Sequence, residues 1–91
     1  MLKIYIKGVF VMVVYLKSVE LRGVEVRTSS KTGNQYMIVY FEDCCGKGNH
    51  ILCKNVALQP LIKKGVLADL SCELDISSYT KFELMGVDLI E

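Results

Sequence analysis

The sequence predicts a small, mainly β domain, and three observations carry that prediction. β-Branched and aromatic residues are dense, apolar residues rarely recur at helical spacing, and several segments alternate apolar with polar. At 91 residues the chain accommodates one core, so residues 1–91 read as one domain. A hydrophobic fraction of 52% with 23% charged residues is the composition of a folded chain.

Residues 9–26 carry a continuous apolar run followed by alternation through Val19 and Leu21, with Gly23 inside. A long strand bent at Gly23 fits, because an interior glycine marks a bulge or sharp bend. Residues 27–34 are a polar loop of turn formers ending in Gly33-Asn34. Gln35 to Asp43 is the clearest strand. After a tight connection with two glycines, His50 to Lys54 returns as its hairpin partner.

Residues 55–65 are the helical candidate, one or two turns long. Pro60 suits a first helical position, Lys63 and Lys64 a last turn, and Gly65 the position just beyond. Val66 to Ile76 alternates with period two and predicts a half-buried strand. Ser77 to Lys81 is a polar tip around Tyr79, and Phe82 to Ile90 closes the chain as a last strand. Five strands with one short helix between the third and fourth is the order of an OB-fold, a small, partly open β-barrel.

The longest apolar stretch, Gly8 to Leu16, is nine residues, about half of a bilayer-spanning helix. It follows a basic segment in the order of a secretory signal, but no small-residue cleavage site comes after it. It therefore reads as strand, and the expected location is cytoplasmic, with no membrane partner. Cys44, Cys45, Cys53 and Cys72 are then expected as reduced thiols. Cys44, Cys45, His50 and Cys53 fall within ten positions, yet zinc knuckles pair their ligands with two to four residues between them, and only His50 and Cys53 approach that spacing. Zinc and small buried or hairpin thiols both stay open as readings. With one histidine, no recognisable nucleophile context and no phosphate-binding glycine motif, no enzyme activity and no cofactor are expected.

The net charge of +1 conceals a polarised chain. Residues 1–35 sum to +4, residues 36–64 to +2 and residues 65–91 to −5. Such asymmetry suggests an electropositive face from the earlier part of the chain. The alternative is that the two parts pair their charges across the surface.

An OB-fold binds single-stranded nucleic acid on the face of its second and third strands and with two of its loops. Arg27, Lys31 and Asn34 lie beside Tyr36 in the first such loop region, and Tyr79 lies near Lys81 in the last; Arg22 adds a cation on the first strand. An aromatic next to a base is what stacking of unpaired bases with phosphate neutralisation needs. Polar loops carry lysine and strands carry tyrosine for structural reasons too.

The segment Lys31-Thr32-Gly33-Asn34-Gln35-Tyr36 and the closing segment from Tyr79 to Ile90 resemble the small single-stranded DNA-binding proteins of the filamentous-phage gene V type. The resemblance spans about residues 27–90. It implies an OB-fold that acts as a homodimer, with Lys31, Gly33 and Tyr36 at the spacing of the family's DNA-contacting wing. By the same resemblance Tyr36 and Tyr79 stack on bases, and Lys31 with Arg27 contacts phosphates. Asn34 stands where the family has a basic residue after the glycine, and Asp88 lies in a last strand that carries arginines in the family. The expected function is non-sequence-specific binding of single-stranded DNA in replication of a phage, plasmid or mobile element. RNA in place of DNA is open on this sequence. A rival is a β-barrel interaction or assembly module, with the apolar run Val9 to Leu16 as a self-association edge.

Overall fold

One strand, longer than the molecule is wide, organises this chain. The computed structural model describes residues 2–6, 11–43, 45–76 and 80–90. They form β1 (Leu2–Ile6), β2 (Val11–Thr28), β3 (Gln35–Glu42), β4 (Gly48–Cys53), a 3₁₀ helix (Val56–Leu61), β5 (Leu67–Asp75) and β6 (Lys81–Leu89). Fully extended, the 18 residues of β2 would reach about 59 Å at about 3.3 Å per residue. The longest dimension of the molecule is 35 Å. β2 must therefore bend.

Two irregularities make the bend. The register slips between Leu21 and Gly23, and Gly23 has φ +148°, a conformation glycine adopts without a Cβ penalty. This is the bend that the glycine predicts. A second slip falls between Leu16 and Val19, where Ser18 sits at φ +57°. Asp69 on β5 braces that slip: one carboxylate oxygen accepts from the Ser18 N–H at 2.8 Å and the other lies 2.7 Å from Lys17 Nζ.

The bent strand serves two neighbours. Its first half pairs antiparallel with β5 and its second half with β3. β3 pairs with β4, β4 meets β6 through the parallel pairing of Leu52 with Glu83, and β6 pairs with β5. The strands thus close into a ring, β2-β3-β4-β6-β5 and back to β2. The five expected strands are all present as β2 to β6, and β1 is added on the outer side of the first half of β2.

Alternation along the strands fills the ring. Met37, Val39 and Phe41 of β3 face Ile51 and Cys53 of β4, and Leu21, Leu70, Cys72 and Leu84 are among the other buried core residues. Cys72 is held as a neutral thiol, its pKa pushed up to about 12 by burial and then by the neighbouring Cys53. Burial pushes Cys53 up as well, partly offset by backbone hydrogen bonding at Asn55; the thiol also donates to the Asn55 carbonyl at 3.5 Å.

The short helix is found between the third and fourth expected strands, and two details of the expected elements need correction. The helix is a single short 3₁₀ segment with Pro60 inside it, and Lys63 and Lys64 lie beyond its end. Proline lacks the N–H for an α-type bond back to Val56, so the segment tightens and stops early. Asn55 caps it by accepting from the Ala57 N–H at 3.1 Å. Arg27 and Thr28, expected in the first loop, continue β2. Their ladder with Tyr36 and Gln35 supplies the pairing that extends the strand. Among the described residues, no helix is long and apolar enough to cross a membrane.

Candidate nucleic-acid interface

The loop between β2 and β3 is built by its own hydrogen bonds. The Ser29 N–H donates to the Asn34 carbonyl at 2.8 Å and the Gly33 N–H to the Ser29 carbonyl at 2.9 Å. The Ser29 hydroxyl accepts from the Lys31 and Thr32 N–H groups, and Gly33 supplies the left-handed turn at φ +74°. This self-contained loop stands over the outward face of β3 and forms a cleft of about 870 Å³. Lys31, Asn34 and Tyr36 line it together, as the sequence leads one to expect; Leu52 and Lys54 of the neighbouring strand complete it.

Register extends the surface. Arg27 lies opposite Tyr36, Glu25 opposite Ile38, and Gly23 opposite Tyr40. On the other side of β3, Leu52 lies opposite Ile38 and His50 opposite Tyr40. The outward face therefore presents two tyrosines separated by an apolar floor of Ile38 and Leu52. The Tyr40 and His50 rings are tilted at 45° with centroids 6.1 Å apart. Arg22 borders the far end of this face, in a shallow depression shared with Tyr40, Glu42 and His50.

The cations on this surface are mostly matched by carboxylates. Arg27 Nη2 lies 2.7 Å from Glu25 Oε1, which also accepts from the Tyr40 hydroxyl at 3.3 Å. The bond to Glu25 and its charge raise the Arg27 pKa further. Arg22 pairs with Glu20 and Glu42, and Lys54 Nζ lies 3.2 Å from Glu83 Oε1. Lys31 makes no ion pair among the described residues. With Lys17 and Asp69, the Lys54 pair joins the basic part of the chain to its acidic end. Exposed pairs of this kind are worth about 0 to 1 kcal/mol, so a phosphate can exchange for a carboxylate at small cost.

Of the remaining expected site residues, Lys81 lies elsewhere. Lys81 sits opposite Asp75 and shares a small depression with Lys54, Glu73, Asp75 and Glu83 rather than the cleft. That carboxylate-rich setting is a poor one for phosphate. Tyr79 and Cys44 fall outside the described residues. Cys53 faces the core whereas His50 is exposed on the opposite face of β4, so those two side chains cannot share one metal ion. No cluster of three metal-ligating groups occurs among the described residues.

Tyr40, His50 and Lys54 are members of this surface that sequence reasoning passes over. Period-two counting from Tyr36 reaches Tyr40, but Met37, Val39 and Phe41 are equally apolar, so the pattern does not say which face is outward. Comparison with protein-family models, curated proteins and solved structures finds no match to this chain.

Proposed function

We propose that this protein is an OB-fold that binds single-stranded DNA across the outward face of β2, β3 and β4. The order of pairing supports the fold: a long first strand shared between two neighbours, a hairpin, a short helix, and closure through a parallel contact. The observation that carries the function is the cleft in which Lys31 and Lys54 flank Tyr36, at one end of a face that continues to Tyr40. An aromatic platform with cations beside it holds unpaired bases without reading their sequence.

The mechanism is passive. Stacking and phosphate contacts stabilise the unpaired strand, and mass action then disfavours the duplex. The resemblance of residues 31–36 to the gene V wing agrees with the same site, and a cytoplasmic homodimer in replication of a phage, plasmid or mobile element is the setting that goes with it. The test is a fluorescence titration with oligo-dT at several salt concentrations. Binding that weakens steeply with salt and drops about 5- to 150-fold in Tyr36→Ala is expected, from about 1 to 3 kcal/mol per stacked base. Undetectable or salt-independent binding refutes the proposal.

A second reading draws on the carboxylate matching of Arg22, Arg27 and Lys54 and on the exposed Leu67, Leu89 and Ile90. On that reading the ring is an assembly module, and a light-scattering mass above that of one chain with no response to any nucleic acid favours it.

A further inference from the structure

We propose that Glu25 gives this face a preference for bases that carry an exocyclic amino group, cytosine over thymine among the pyrimidines. The inference rests on the single-stranded DNA reading above and adds a specificity-determining residue to it.

Glu25 stands in the middle of the outward face, opposite Ile38, between the Arg27–Tyr36 and Gly23–Tyr40 cross-strand pairs. A base lying between the two tyrosines meets its carboxylate. One oxygen, Oε1, accepts from both Arg27 and the Tyr40 hydroxyl. The other, Oε2, accepts no hydrogen bond among the described residues. Two donors thus pin the side chain while leaving one oxygen available, so little freedom is lost when it takes a further donor.

A carboxylate only accepts hydrogen bonds. Cytosine offers its N4 amino group, whereas thymine has a carbonyl oxygen in the corresponding place, which a carboxylate repels. The same charge orients the strand: phosphates are drawn to Lys31 and Lys54 at the cleft and away from Glu25, which leaves base edges toward the centre of the face.

The test compares oligo-dC with oligo-dT of equal length at neutral pH and fixed salt, for the natural protein and for Glu25→Gln. The carboxamide keeps the size of the side chain at an exposed position, and it both donates and accepts. Oligo-dC is expected to bind about five-fold or more tightly than oligo-dT, in keeping with one hydrogen bond to a charged acceptor, and the ratio should fall to about one in Glu25→Gln. Equal affinities in the natural protein, tighter oligo-dT, or a ratio unchanged by the substitution overturns the role of Glu25 while leaving single-stranded DNA binding intact. Failure of both oligonucleotides to bind overturns both proposals.

Discussion

Lys54 and Glu83 form an ion pair at 3.2 Å beside the parallel pairing of Leu52 with Glu83 through which β4 meets β6. The lysine also lines the cleft that holds Tyr36, so one side chain faces two competing anions: a carboxylate on its own fold and a phosphate of the proposed ligand. Glu83→Gln removes the first competitor and should tighten oligo-dT binding. Lys54→Ala should weaken it and flatten the dependence of log Kd on log salt by about 0.7, the value of one phosphate contact on a single strand. Salt-series titrations of the two variants measure both effects.

Tyr40 is exposed on the same face, and its hydroxyl bonds to Glu25. If its ring is a stacking platform, Tyr40→Phe keeps most of the affinity, whereas Tyr40→Ala loses about 5- to 150-fold. Equal losses in the two variants would assign the contribution to the hydroxyl.

Asp69 ties the Ser18 irregularity to β5, and its carboxylate lies below the usual aspartate range, first through the Lys17 hydrogen bond and next through the Ser18 N–H. A depressed native pKa means that the unfolded chain binds protons first. The stabilisation is complete above the unfolded value of about 3.9 and is lost as the pH falls through the lower native value. Urea midpoints measured from neutral pH into the acid range should drop in the natural protein, and Asp69→Asn should lower the neutral midpoint and lessen the drop.

Leu70 is fully buried at the centre of the ring. Leu70→Ala should destabilise by about 2 to 5 kcal/mol, through lost transfer energy and the cavity left behind. Gly23→Ala tests a different cause, because a Cβ there meets nothing within 4 Å; its cost is the positive φ alone, about 1 to 3 kcal/mol. Denaturant unfolding with an unchanged slope gives both values.

The thiols should separate by burial. Cys45 is exposed, whereas Cys53 and Cys72 are buried with pKa values pushed up. A thiol reagent at neutral pH is expected to label Cys45 in the native protein and to reach Cys53 and Cys72 only on unfolding, as read by mapping the modified peptides.

Much of the fold was legible because it is written in local pattern. Val66 to Ile76 alternates cleanly, Gly33-Asn34 closes a turn, and Gly23 marks a bend, so β5, the first loop and the main bulge follow from residues close in sequence. The slip at Ser18 carries no such mark: its brace, Asp69, comes from a strand 51 residues away. The site divides in the same way. Lys31, Asn34 and Tyr36 are neighbours along the chain, so their grouping is visible in one dimension. Lys54 reaches them through the β3–β4 register, and the carboxylates that match Arg22, Arg27 and Lys54 look, in one dimension, like ordinary solvated charges.

Tyr36 and Tyr40 are four residues apart on one face of β3, so their points of attachment lie about 13 Å from one another at about 3.3 Å per residue. Neighbouring bases in a helical stack rise only about 3.4 Å. The two rings are thus about four such steps apart, and a base that stacks on either ring gives up its own neighbour on that side. Capture would be opposed by the self-stacking of the sequence captured, most for runs of adenine, and a bound segment would have to leave at least one ring before it could anneal to its complement.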